Sequence, residues 1–279
     1  MEKIAVVTDT GSNLSFAQAK ELGIYLLPLQ ITIDETTYQD TLEISTQDIY
    51  KELANGKMPK TSMAAYQKIY DLFEELKKEY DTVFAVPLTN ASTMQSIARE
   101  LEMNVHVIDM YATCALEKHI AIWIKKLVDE NKSSEEILKI IQPAIDESNS
   151  LILVKNLQHL KRGGRLTPMA ATLAGLLKIY PILHINKSTE GRIDVLNKVR
   201  TEKRADAYAI DKVIDDIDIE HTVIYIIHSD FLEGANHFKK CFIEKGIPEQ
   251  NIHIDYISSV IAVHTGLGCI AIQYIREEN

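Results

Sequence analysis

The sequence predicts an α/β protein of two domains, the first built on a parallel sheet. Three observations carry this expectation. Short apolar runs rich in β-branched residues alternate with segments whose apolar residues recur about every 3.6 positions. Up to about residue 155 the order is strand, helix, strand, helix, which favours parallel strands joined by helical crossovers. The 279 residues, 46% of them hydrophobic, exceed one average domain and carry enough apolar side chains for a sizeable core.

Taken in order, residues 4–8 (Ile-Ala-Val-Val-Thr) open the chain as a strand. Residues 25–33, 82–88 and 105–108 follow as further strands, several nearly continuous in apolar side chains, as strands covered on both faces are. Ser45-Thr46-Gln47-Asp48 before Ile49 marks a helix start in a variant form of the capping box. In the segment 65–80, Ile69, Leu72, Phe73 and Leu76 share one helical face. Residues 112–131 and 134–145 read as consecutive helices. The second half holds strands at 151–154, 181–185, 192–196, 222–228, 252–257 and 269–274, with a hairpin turn at Ser188-Thr189-Glu190-Gly191. The boundary falls between residues 150 and 165, giving an N-terminal α/β domain over 1–155 and a C-terminal α/β domain over 156–279. Two such domains leave a ligand crevice between them, and ligands gather at the carboxyl ends of strands.

Composition excludes several classes. Forty acidic against thirty basic residues give a net charge of -10, without the basic face of a nucleic-acid binder or a polybasic membrane grip. No apolar run reaches the ~18 residues of a transmembrane segment. The N-terminus reads as a strand and not as a signal peptide. Cys114, Cys241 and Cys269 are widely spaced, so neither a disulfide framework nor a structural zinc is expected, and a cytoplasmic location follows. No P-loop, GxGxxG, GxSxG or HExxH pattern occurs, so no cofactor, metal or catalytic residue is assigned.

The chemistry concentrates where strands end. The first strand runs into Thr8-Asp9-Thr10-Gly11-Ser12-Asn13, a turn that offers hydroxyls and backbone N–H groups to an anion, or caps a helix with Ser12 or Asn13. Thr61-Ser62 lies just before a helix and, taken alone, is a cap. The strand at 82–88 leads into Thr89-Asn90-Ala91-Ser92-Thr93, a third hydroxyl-rich entry to a helix. Such turns can converge on one carboxylate or phosphate. In Lys161-Arg162-Gly163-Gly164-Arg165-Leu166-Thr167-Pro168 the glycines allow a tight turn from which Arg165 either projects into the crevice or stays a surface residue, and Thr167 and Pro168 fit the cap and first position of a helix through Leu177. His264, before Thr265-Gly266-Leu267-Gly268, is either a carboxylate donor or a buried imidazole bonded to a carbonyl.

These turns, in this order, resemble the DegV family of bacterial fatty-acid-binding proteins. The likeness rests on VTDTGSNL (7–14), PLQITI (28–33), KTSMAAY (60–66), PLTNASTMQSIA (87–98), VHVID (105–109), LKRGGRLT (160–167), KVRTEKRA (198–205) and HTGLG (264–268). The resemblance implies a two-domain DegV-like fold. It implies a long-chain free fatty acid whose acyl chain runs in an apolar tunnel between the domains, with Leu173, Leu176, Leu177 and residues 179–183 as candidate lining. It also implies carboxylate contacts from Thr61, Ser92, Arg165 and His264, supported from behind by Asp9, Thr10, Ser62, Thr93, Thr265 and Gly266. By the same resemblance the protein is no enzyme. It presents the carboxylate to the catalytic subunit of a separate fatty acid kinase, which makes the acyl phosphate used in lipid metabolism. Lys198, Arg200, Lys203 and Arg204 form a basic cluster that meets an acidic partner or is a solvated helix start. The sequence departs from the family at Met63-Ala64, where Gln-Pro is usual, at Ala91-Ser92-Thr93, where a serine-glycine-threonine turn is shortened, and at Leu267, where proline is common. The alternative function is a hydrolase or transferase acting on a small carboxylate or phosphate ester.

Overall fold

The computed structural model describes residues 2–88 and 91–277. Chain order begins β1 (Ile4–Asp9), α1 (Phe16–Leu22), β2 (Tyr25–Leu27), β3 (Gln30–Ile33), β4 (Thr36–Gln39), α2 (Thr46–Ala54) and β5 (Lys60–Ser62). It continues with α3 (Tyr66–Leu76), β6 (Thr82–Val86), α4 (Ala91–Glu100), β7 (Asn104–Val107), α5 (Ala115–Asp129) and α6 (Ser134–Glu147). Then come β8 (Asn149–Leu153), α7 (Leu157–Arg162), α8 (Pro168–Leu173), β9 (Tyr180–Ile185), β10 (Asp194–Val199) and α9 (Glu202–Asp216). The chain closes with β11 (Thr222–His228), α10 (Leu232–Glu244), β12 (Ile252–Tyr256), α11 (Ser259–Thr265) and β13 (Ile270–Arg276).

These elements form two compact units, Met1–Pro143 with Ser258–Val260, and Ala144–Ile257 with Ile261–Asn279. The first holds a parallel sheet of order β2-β1-β6-β7 and an antiparallel sheet of order β4-β3-β5. β1 and β6 are buried along their whole length, so their apolar runs are unbroken. One core cluster packs Val7, Val83 and Ala85 of these strands against Ile69, Phe73 and Leu76 of α3 and Met94 and Ile97 of α4. The run 25–33 is two strands and not one. Pro28 lacks the N–H that a continuing ladder needs, and β2 and β3 lie in different sheets.

The second unit is a mixed sheet of order β10-β9-β8-β13-β11-β12. β8, which the sequence reading set just ahead of the second domain, hydrogen-bonds here to β13 and β9. α9 and α10 contribute Ala209, Val213, Phe238 and Phe242 to a core with Ile224, Ile226 and Ile272. The β9–β10 hairpin is present, its turn closed by Asn186, whose side chain accepts from the Thr189 amide at 3.3 Å. Thr167 and Pro168 open α8 as expected, with Thr167 Oγ1 accepting from the Ala170 amide at 3.2 Å. The helix stops at Leu173 and does not reach Leu177, because Ala174 turns extended and Gly175 adopts φ 100°. Leu176 and Leu177 are consequently exposed.

Candidate functional site

In the first unit the chain order reverses between β1 and β6: β1 leads outward to β2, β6 outward to β7. Such a switch point opens a crevice at the strands' carboxyl ends. Asp9 ends β1 there, fully buried. Its Oδ1 accepts from the Gly11 amide at 2.8 Å and its Oδ2 from the Leu88 amide at 2.9 Å, so one carboxylate ties the turn after β1 to the turn after β6. The two turns approach so closely that a β-carbon on Gly11 would lie 2.5 Å from Leu88 Cβ. Ser12 Oγ donates to the Asp9 carbonyl at 2.7 Å, and Thr10 Oγ1 accepts from the Leu29 amide at 3.1 Å. Neither Ser12 nor Asn13 caps α1. Ser15 does, in a full capping box with Gln18, because the 3₁₀ turn Thr10–Ser12 delays the helix.

Thr61 sits half-buried in the middle of β5, paired with Ile31, and Ser62 Oγ donates to Gln30 Oε1 at 3.0 Å. The helix-cap reading of Thr61-Ser62 is corrected. α3 starts at Tyr66 with no side-chain cap bond, since the β-branched threonine extends the antiparallel sheet instead. Ser92 and Thr93 fall in the first turn of α4, Ser92 exposed and Thr93 half-buried. Thr89 and Asn90 of the same expected turn lie outside the described residues.

In the second unit Arg165 and His264 come together. The Gly163 carbonyl accepts from Arg165 Nη1 at 3.3 Å and from the His264 ring, and a β-carbon on Gly163 would lie 3.1 Å from His264 Cα. Burial first, then the Arg165 guanidinium, push His264 down from 6.5 to about 4, so the imidazole is neutral at pH 7. Thr265 is buried, its hydroxyl donating to the Ile261 carbonyl at 3.3 Å. Gly266 adopts φ 77° where α11 ends, its backbone against the His159 ring. His159 Nε2 in turn donates to the Val263 carbonyl at 2.9 Å. Residues 156–163 and 263–268 therefore interlock beneath Arg165 and His264.

Both segments run on into the wall of a cavity of about 610 Å³, at Asn156, Leu157, Gln158 and Gly268. This volume lies in the ~300–1,000 Å³ range of small-molecule sites. Its apolar wall comes from Leu153, Leu173, Ile179, Phe231, Phe238 and Ile270, with Leu176 and Leu177 beside them. Ala205 presents a small face from α9. The rim is polar. Lys155 pairs with Glu202 and lies 4.9 Å from the Phe231 ring centre, while Asp206 and His237 face the same opening. Burial pushes the Asp206 carboxyl up. Among the described residues no cluster of three or more His, Cys, Asp or Glu is arranged to hold a metal, and no helix is long and apolar enough to cross a membrane.

Of the expected tunnel lining, Leu173, Leu176, Leu177, Ile179, Tyr180 and Pro181 line this cavity and Ile182 and Leu183 do not, and the cavity belongs to the second unit alone, not to a tunnel between domains. Sequence reasoning missed the polar rim and Glu117. The latter carried a signal: Glu117, Ile120, Ala121 and Ile124 share helical spacing i, i+3, i+4, i+7, and all four are buried.

The family model described as "Uncharacterised protein, DegV family" matches residues 3–277. A DegV domain-containing protein of Halalkalibacterium halodurans is 32% identical over all of both chains. One from Caldanaerobacter subterraneus is 33% identical over 85% of this chain and 86% of its own. Among solved structures, a fatty acid binding DegV family protein from Streptococcus agalactiae superposes with a TM-score of 0.91 at 29% identity, covering 100% of both chains. DegV from Bacillus subtilis, described as a fatty acid binding protein, does so with a TM-score of 0.85 at 26% identity over 99% of this chain and 100% of that one. With the family match spanning all but the chain's ends and the fold shared throughout, this chain belongs to the DegV family.

Proposed function

We propose that the protein binds one long-chain free fatty acid in the cytoplasm and presents its carboxylate to a separate fatty acid kinase. The acyl chain lies in the cavity of the second unit, and the carboxylate is received by Arg165 and His264. The family resemblance adds Thr61 and Ser92 as candidate hydroxyl donors to the carboxylate. The kinase moves the γ-phosphoryl group of ATP onto a carboxylate oxygen, giving acyl phosphate and ADP.

The observation that carries this reading is the continuity of the second unit: the segments holding Arg165 and His264 become the wall of an apolar cavity. The fatty acid binding described for the Streptococcus agalactiae and Bacillus subtilis relatives supports it. The energetics agree. A C16 acid has about 14 methylenes, which at about 0.8 kcal/mol each contribute roughly 11 kcal/mol before the costs of ordering and association. The chain then supplies the affinity, and the polar donors exclude ligands that leave them unpaired.

Organic extraction and mass spectrometry of gently purified protein is the direct test. One equivalent of C14 to C20 fatty acid is expected; a polar ligand, or none after lipid is added, overturns the reading. Thr61→Val is expected to weaken fatty-acid binding about tenfold at unchanged melting temperature, the effect of one lost hydrogen bond to a charged group. An unaltered titration curve removes Thr61 from the site. Arg165→Ala is expected to keep its lipid and to lose at least tenfold in acyl-phosphate output when kinase and ATP are supplied. Undiminished output there removes Arg165 from the transfer step.

A further inference from the structure

We propose that Asp206 makes the cavity of the second unit selective for a hydroxylated fatty acid, its carboxylate accepting a hydrogen bond from a hydroxyl on the acyl chain. The inference rests on the fatty-acid reading above.

Asp206 lies on α9, half-buried, in the wall of the cavity and next to Ala205. Among the described residues it makes no hydrogen bond and no ion pair. The two basic side chains that pull on it are engaged elsewhere. Lys155 pairs with Glu202 and sits over the Phe231 ring, and His237 Nε2 lies 3.9 Å from Cys241 Sγ. Nor is the carboxylate spent on a helix terminus, because Thr201 Oγ1 caps α9 by accepting from the Arg204 amide at 3.3 Å. Burial pushes the Asp206 carboxyl above its ordinary range against the pull of His237 and Lys155, as a carboxylate short of donors behaves.

The wall beside it is apolar and closely fitted. Gly234 of α10 admits the Phe231 ring, since a β-carbon there would lie 2.3 Å from Phe231 Cε1. A saturated chain laid through this cavity takes water away from Asp206 and returns no donor. A hydroxyl on the chain replaces that water, and a hydrogen bond to a charged acceptor is among the stronger kinds. A second carboxylate or a phosphate at this point would instead face Asp206 and Glu233, with Lys155 already matched by Glu202. The group recognised is therefore a neutral donor and not another anion.

Isothermal titration tests this with stearic acid and its derivatives hydroxylated at carbon 3, 10, 12 or 18. In Asp206→Leu, stearic acid is expected to bind about fivefold more tightly than in the wild type, because the chain no longer strips a charge of its water. For the derivative whose hydroxyl reaches position 206, affinity relative to stearic acid is expected to fall about tenfold from the wild type to Asp206→Leu. The fall is expected to be no more than about threefold in Asp206→Asn, whose amide oxygen still accepts. Taking the ratio to stearic acid in each protein cancels the hydroxyl's own cost of leaving water. Asp206→Ala, which also removes the acceptor, gives the same comparison should leucine disturb α9. Ratios that are the same in the wild type and in the folded acceptor-free variant at all four hydroxyl positions, with stearic acid still bound, overturn the inference and leave the fatty-acid reading standing. A wild-type protein that binds none of the five acids takes down that reading, and this inference with it.

Discussion

Ala205→Trp is expected to abolish fatty-acid binding, by at least a hundredfold, while leaving the protein folded. Ala205 is buried on α9 and faces the cavity of about 610 Å³, so the indole enters unoccupied space and takes the volume that the acyl chain needs. Inserting atoms into a packed core costs about 1–3 kcal/mol, but filling a void does not carry that penalty. Ala209, one helical turn further along, is the control. It is fully buried among Val213, Ile224 and Phe238 and does not face the cavity. Ala209→Trp is expected to lower the melting temperature by at least 5 °C, whereas Ala205→Trp leaves it within about 2 °C or raises it. Isothermal titration with palmitate and a thermal melt decide both. An Ala205→Trp protein that still binds palmitate tightly places the acyl chain somewhere else, whatever happens at the carboxylate.

The contrast between two alanines four residues apart also shows where the sequence stops being informative. β1 and β6 were legible because burial on both faces demands an unbroken apolar run, and that demand is local. β5 was not: Thr61-Ser62 has the composition of a helix cap, and only the partner strand Gln30–Ile33 makes it a ladder. The end of α8 was misjudged for a related reason. Leu176 and Leu177 continue the helical spacing of Leu173, yet Gly175 breaks the backbone between them. At the site, Arg165 and His264 stand out from their glycine turns, each with an ordinary alternative beside it, and the resemblance adds that both meet one carboxylate. Their convergence on the Gly163 carbonyl is a tertiary fact. Glu117 shows the reverse case, a charged residue in a core register whose meaning depends on the Asp9 beside it, more than a hundred residues away in sequence.

Fatty-acid binding is expected to take up a proton, with His264 as its acceptor. In the unliganded protein, burial and the neighbouring Arg165 hold His264 at about 4, and one ring nitrogen is engaged with the Gly163 carbonyl. A neutral imidazole that donates there can only accept at its other nitrogen. A ligand carboxylate offers no proton above pH 6, where it is ionised. It therefore favours the imidazolium, which donates at both nitrogens, and its negative charge offsets that of Arg165. The bound-state pKa of His264 rises accordingly. Where the complex holds more protons than the free components, affinity falls as pH rises. The dissociation constant should increase by up to tenfold per pH unit from pH 6 until it passes the bound-state pKa, and then level off. His264→Gln flattens the profile. The free protein shows the opposite face of the same shift. Its folded-state value lies below the unfolded value of 6.5, so the unfolded chain binds the proton first as pH falls. Stability is full above pH 6.5 and declines toward pH 4, by at most about 3 kcal/mol from this one group. Saturating fatty acid should shrink that decline, because the complex accepts the proton that the free fold refuses. Titration calorimetry in buffers of different ionisation enthalpy measures the uptake directly. A wild-type dissociation constant that stays flat from pH 6 to 8, with no proton exchanged, means that the neutral ring suffices and Arg165 alone answers the charge.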